Sequence, residues 1–378
     1  MYMQKDARAA LTFTASCALI LLTACNGGQT SSSPVAPPVS IGAPSASPST
    51  GASGSPSPRP SNSASASPAP STSPSSSPTL ASGATIFVAN QGSSTITSYT
   101  GAVNGPPATI SSGISYLYGP QALALTASGM LFAATGSRTV SEYAPPYTGV
   151  PVTTLNLGGT VPSAIILDAS GDLFVALTDS NLVTVYPPPY TGASTTIVSG
   201  IAAPVALAVD SSANLYVAGN AEVTAYAPPY TAAPATYLGV NQPNALAVGT
   251  YGLFVVNRNN SVTQYSLPDP GGNPTNTITS GLNFPVAIAI NAANDVFVAN
   301  ALGNNVTVYA PPYSGAPIVT IANGINDPLS LALDKSGNLF VTNHGTNSVT
   351  EYASPYTGGP VATITNGVLD PVSLATFP

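Results

Sequence analysis

The sequence predicts an all-β fold over residues 82–378, a seven-bladed β-propeller with four strands per blade. Three observations predict it. One string recurs at a period of about forty residues. Each copy divides into four short strand-like runs. The two ends of the region hold complementary parts of one further copy.

The repeat is plainest near the C-terminus. There the chain reads Pro328-Leu-Ser-Leu-Ala-Leu-Asp334, then Ser336-Gly-Asn-Leu-Phe-Val-Thr-Asn343, Ser348-Val-Thr-Glu-Tyr352 and Pro360-Val-Ala-Thr-Ile364. Near copies start at Pro120, Pro162, Pro204, Pro243 and Pro285, with spacings of 42, 42, 39, 42 and 43 residues. That is the length of a four-stranded propeller blade. The first strand of each copy is an Ala/Leu run such as Ala206-Leu-Ala-Val209. A tight turn follows, as at Ser170-Gly171 and Ser336-Gly337. The second strand is β-branched and aromatic, as in Val296-Phe-Val-Ala299, and the third alternates, as in Val306-Thr-Val-Tyr309. The fourth is brief, as in Thr196-Ile-Val198. Strand formers bounded by Gly, Asn and Pro at short regular intervals are an all-β pattern.

The ends fix the number of blades. The chain finishes on Pro371-Val-Ser-Leu-Ala-Thr-Phe377, a first strand with no remainder. The region begins with Ile86-Phe-Val-Ala-Asn90 and Ile96-Thr-Ser-Tyr99, a remainder with no first strand. Pairing strand 371–377 with the strands from 85 gives a seventh, split blade. It closes the ring and removes exposed sheet edges.

The repeated Pro-x-x-Leu-Ala-Leu-Asp, Ser-Gly-Asn-Leu-Phe-Val and Asn-x-Val-Thr-Val-Tyr strings resemble the NHL-repeat and YVTN-type propellers, a superfamily with lactonase-like and streptogramin-lyase-like members. The resemblance implies fold more than function. Its enzymes place carboxylates and His around a central channel, often with a divalent metal. Here the loops offer His344, Asp179 and Glu222, while Glu142 and Glu351 fall on third strands. No catalytic residue, metal ligand or cofactor is therefore assigned.

The first 81 residues read differently. Lys5 and Arg8 precede a mostly apolar run, Ala9 to Leu22, which has the length of a signal-peptide core. It ends in Leu22-Thr-Ala-Cys25, which resembles the bacterial lipobox. Residues 1–24 are then a lipoprotein signal peptide and Cys25 the lipidated N-terminus. Asn26 after the Cys resembles the pattern sorted to an outer membrane or cell surface. Residues 25–81 are rich in Ser, Pro and Ala and read as a disordered tether.

The protein has a net charge of −7, and past residue 25 its only cations are Arg59, Arg138, Arg258 and Lys335. So few cations do not neutralise a run of phosphates, which argues against nucleic acid. Membrane contact is expected through the lipid alone.

Asp168, Asp210 and Asp334 close first strands and read as turn caps. The Tyr-Ala-Pro-Pro-Tyr strings at 143–147, 226–230 and 309–313, with variants at 186–190 and 352–356, read as structural. The ends of the second strands are more varied. Asn90, Asn257, Asn300 and Asn343 align there, beside Arg258 and His344, the single His. These six are the expected ligand-binding residues at one mouth of the channel. The expected function is a monomeric, non-enzymatic binding or scaffold module for an envelope protein, glycan or small polar ligand. A propeller enzyme and an inert envelope protein are the alternatives.

Overall fold

The computed structural model describes Leu80 and residues 84–377, except 102–104, 115–117, 192–193, 198, 238–239 and 268–271. The expected signal peptide, the lipidation site Cys25 and all of the expected tether but Leu80 lie outside the described residues.

Seven antiparallel four-stranded sheets form the blades. Blade 1 joins Thr85–Asn90, Thr95–Thr100 and Ala108–Ile110 to the C-terminal strand Pro371–Phe377. Blades 2 to 7 follow at 120–156, 162–197, 206–237, 243–278, 285–321 and 328–364. The sequence-predicted architecture and its closure are both present. The closing register runs from Thr85 opposite Phe377 to Asn90 opposite Pro371. Helix among the described residues amounts to two 3-10 turns, Thr178–Ser180 and His344–Thr346.

Each blade is packed on both faces, and its strands show it. Second strands such as Leu131–Thr135 and Leu339–Asn343 are buried at every position, so they are near-continuous apolar runs rather than alternating ones. The turns after the first strands are built as the sequence predicts. Asp168 Oδ1 accepts the Ser170 and Asp172 amides at 2.9 and 2.8 Å, and Asp334 Oδ1 does the same for Ser336 and Asn338.

The paired tyrosines wedge neighbouring blades together. In four of the five pairs the first tyrosine donates its hydroxyl to the loop entering its own blade, Tyr143 to the Ser112 carbonyl at 2.7 Å, Tyr226 to Ser199, Tyr309 to Ser280 and Tyr352 to the Asn323 carbonyl at 2.6 Å. The second stacks edge-on against the Phe of the preceding blade. The pairs are Phe87–Tyr147, Phe132–Tyr190, Phe174–Tyr230, Phe254–Tyr313 and Phe297–Tyr356, with ring centroids 4.8–5.4 Å apart. Its hydroxyl then caps the turn of its own blade, as in Tyr147 to the Gly129 carbonyl and Tyr313 to the Asn294 carbonyl. Blade 1 has no such tyrosine. At the seam between blades 7 and 1, Leu80 packs into one cluster with Phe340 and is held by its amide on the Gly101 carbonyl at 2.8 Å.

Candidate functional site

The innermost strands surround a central channel of about 300 Å³. Most of them open on a Pro followed by a β-bulge, as at Pro120, Pro162, Pro243, Pro285 and Pro328. A bulge re-aims one side chain where a strand enters the sheet. The residues brought to the channel after these prolines include Gln121, Ser163, Asn244, Val286 and Leu329. One step further along lie Ala122, Ala164, Ala206, Ala245 and Ala287, with Ser330 and Ser373 completing the level. The described residues that line the channel include no Asp, Glu, His, Lys or Arg. Among the described residues, no three His, Cys, Asp or Glu side chains come together as a metal cluster would need.

The start of each innermost strand lies beside the end of the second, as Pro371 does with Asn90 and Pro328 with Asn343. The expected binding residues are therefore at one end of the channel, but they divide into two kinds. Asn90, Asn257, Asn300 and Asn343 are fully buried. The Asn90 amide nitrogen donates to the Val88 carbonyl and Thr97 Oγ1, and its oxygen accepts the Leu369 amide. Asn257, Asn300 and Asn343 repeat this, bonding Thr263, Thr307 and Thr350 and accepting the amides of Asn241, Asn283 and Asn326. Their side chains thus face the interior of the blade at that end of the channel. Each amide ties the incoming loop to two strands of its own blade, because a buried backbone N–H has to find an acceptor.

A second set of asparagines, not singled out in the sequence, does the same between blades. Asn181, Asn260, Asn304 and Asn347 adopt φ between 49° and 59° ahead of the third strands. Their side-chain oxygens accept the amides of Ala203, Phe284, Asp327 and Asp370, each in the chain entering the next blade. The legible signal was an Asn, which tolerates the left-handed region, at the last loop position.

Arg258 and His344 belong to the other kind. They sit in blades 5 and 7, and each bonds its own neighbours. Arg258 Nε donates to Asn244 Oδ1 at 3.1 Å, while Asn244 Nδ2 donates to the Pro285 carbonyl at 3.0 Å. The guanidinium thus steadies a polar residue of the channel lining. His344 Nδ1 lies 3.1 Å from Asp327 Oδ2. That hydrogen bond raises the imidazole above its ordinary value. Burial opposes the rise, and the charges of Asp327 and Asp370 add to it. Nε2 is buried with no hydrogen-bond partner among the described residues.

A pH dependence follows. The pKa is raised on folding, so the stabilisation is full below the unfolded value of about 6.5 and fades as pH rises through the folded value. His344→Ala is expected to cost at most about 1 kcal/mol below that pH, since the pair is partly solvated. The difference from wild type shrinks on the alkaline side. Urea melts of the two proteins between mildly acidic and mildly alkaline pH measure this, and a pH-independent difference contradicts it.

Glu142 and Glu351 are on third strands, as expected, and are buried away from the channel. Burial pushes the Glu142 carboxyl up, and a hydrogen bond with Thr153 opposes that shift.

No family model matches the sequence, and no curated protein matches it. Solved structures do. A streptogramin B lyase superposes with a TM-score of 0.53 at 12% identity, over 63% of this chain and 80% of that one. Virginiamycin B lyase from Staphylococcus aureus, as a catalytically inactive His-to-Ala variant with quinupristin, gives 0.54 at 12% identity over 68% and 84%. A 6-phosphogluconolactonase-like protein from Bacteroides fragilis gives 0.63 at 14% identity over 78% and 98%. Likeness at this identity speaks to the fold alone. The chain is a seven-bladed β-propeller, closed by its own C-terminal strand, of the architecture seen in these lyase and lactonase-like proteins.

Proposed function

We propose that the protein is a lipid-anchored cell-envelope protein whose propeller is a binding or scaffold module for an envelope protein, a glycan or a small polar ligand. The observation that carries this is the uncharged channel. Its lining of Ala, Leu, Ile, Val, Ser, Asn and Gln offers hydrogen bonds and apolar contact. It offers no group that exchanges a proton near neutral pH, which general acid–base chemistry requires. The Leu22-Thr-Ala-Cys25 sequence supports the anchor. Arg258, backing Asn244, and His344 supply the polar groups at the binding end.

A second reading, a propeller enzyme acting at the channel mouth, rests on the His344–Asp327 pair. A His paired with a carboxylate through Nδ1, its buried Nε2 bonding none of the described residues, has the pairing of a general base.

The test is a thermal-shift screen of the purified protein against sugars, cell-wall fragments, lactones and divalent cations. A specific ligand at a hundred times its Kd adds about 2.7 kcal/mol of stability. A shift lost in Arg258→Ala or His344→Ala, without turnover of the ligand, supports the binding module. Turnover lost in His344→Ala overturns it in favour of the enzyme. Cys25→Ser tests the anchor separately: the variant is expected in the soluble fraction, and retention in the membrane fraction overturns the lipid assignment.

A further inference from the structure

Arg258 is half-buried, and most of its donors are unspent. Nε donates to Asn244 Oδ1 at 3.1 Å. A guanidinium carries five N–H groups, and the terminal nitrogens of this one make no hydrogen bond to a described residue. The chain holds 13 carboxylates against six cations. Even so, the ion pair formed among the described residues is His344–Asp327, and Arg258 has none.

Asn244 brings that charge to the channel. It belongs to the lining, and its amide nitrogen is anchored on the Pro285 carbonyl of blade 6 at 3.0 Å. The guanidinium is thereby held through Nε, and its planar end is unused. That end presents a rigid pair of N–H groups which matches the two oxygens of a carboxylate. A doubly charged phosphate suits the surroundings less well. Asp327 and Asp370 precede the innermost strands of blades 7 and 1 at the same end of the channel, and they repel a second negative charge more strongly than a first.

The wall below Asn244 is aliphatic. In blades 4, 5 and 6 the partly exposed Ala206, Ala245 and Ala287 are followed by Leu207, Leu246 and Ile288. Serines take the alanine level in blades 7 and 1, at Ser330 and Ser373. The alanine methyls leave open a space that larger side chains would fill. A charged fork at the entrance and an apolar wall below it match the two ends of an aliphatic acid.

With the channel read as a binding site, on which this assignment rests, we infer that the arc formed by blades 4 to 6 takes a monocarboxylate with a short aliphatic body. The carboxylate meets the terminal nitrogens of Arg258, and the chain lies along Ala245 and Ala287.

The test is methyl NMR of the full chain at neutral pH, following Ala245, Ala287 and Ile288 during titration with hexanoate, hexan-1-ol, acetate and hexyl phosphate. Saturable shifts with hexanoate are expected. Hexan-1-ol lacks the charge and acetate lacks the chain, and each is expected to bind about tenfold more weakly, or about 1.4 kcal/mol. Hexyl phosphate is also expected to be weaker than hexanoate. Arg258→Ala removes the advantage of hexanoate over hexan-1-ol, while hexan-1-ol keeps its affinity. Should that variant not fold, Arg258→Lys keeps the charge and loses the fork, with an expected several-fold loss for hexanoate alone. Lys335→Ala, in an exposed turn at the other end of the channel, leaves every affinity unchanged. Hexan-1-ol, acetate or hexyl phosphate binding as tightly as hexanoate, or hexanoate binding undiminished in the Arg258 variants, overturns the assignment. If a sugar or wall fragment shifts these methyls and hexanoate does not, the assignment falls and the binding module stands. If none of them does, the channel falls as a small-ligand site and the assignment falls with it.

Discussion

Removal of residues 371–378 leaves a protein with no cooperative unfolding transition. The strand Pro371–Phe377 is the innermost strand of blade 1, paired with Thr85–Asn90 along its length. It buries Val372 and Leu374. Burying such side chains is worth about 1.5–3 kcal/mol each. Each ladder hydrogen bond adds about 0.5–1.5 kcal/mol. Together these approach the whole margin of a folded domain, about 5–15 kcal/mol. The deletion also opens the edge of strand Thr85–Asn90 toward the channel, and an unpaired edge recruits other chains. Thermal denaturation followed by circular dichroism, with size-exclusion chromatography, reads both effects. A monomer melting within a few degrees of the intact protein would falsify the view that the ring is held shut by this strand.

The second large effect is expected at a wedge. Tyr313→Ala removes a ring that lies 5.0 Å from Phe254 at an interplanar angle of 79°. It also removes the hydroxyl that caps the Asn294 carbonyl at 2.8 Å. Truncating a buried aromatic side chain to Ala costs about 3–5 kcal/mol. Tyr313→Phe keeps the ring and loses one hydrogen bond, at about 1 kcal/mol. Chemical denaturation of both variants separates the contributions. If Tyr313→Phe proves as damaging as Tyr313→Ala, the hydroxyl holds the seam and the ring merely accompanies it. Burial pushes the Tyr313 phenol up to about 12, with charge from Tyr251 and Asp295 adding to the rise. It therefore stays protonated, and able to donate, throughout the range where the protein would be assayed.

The fold was legible because the repeat is local. Strand, turn and spacing are written within about forty residues, and the split blade is visible as two fragments at the ends. The turn role of Asp168, Asp210 and Asp334 was legible for the same reason, since each caps amides within a few residues of itself. What the sequence did not show is which polar groups point inward. Asn300 and Arg258 both sit at the end of a second strand or just beyond it. The Asn300 side-chain oxygen is taken by an amide from the incoming loop, 17 residues earlier in the chain, and Arg258 Nε by Asn244. The His344–Asp327 pair was hidden in the same way. Its partners come from a loop and a strand end that meet only once the blade is folded. Leu80 falls just outside the expected domain start at 82, because an isolated apolar residue after a Ser/Pro-rich run has no periodic neighbours to mark it as core.

The position of Leu80 sets how the propeller bears load. Among the described residues, a pull from the N-terminal side is met first at Leu80, by its packing beside Phe340 and its amide on Gly101. Past that point the pull reaches Thr85–Asn90, a strand held on one side by Thr95–Thr100 and on the other by Pro371–Phe377. Drawing that strand out along its own axis shears two ladders at once, where a free edge strand would peel off one bond at a time. Resistance to such a pull is governed by the unfolding rate rather than by equilibrium stability. The closure that joins the first described strand to the last is thus also a mechanical clamp on that first strand.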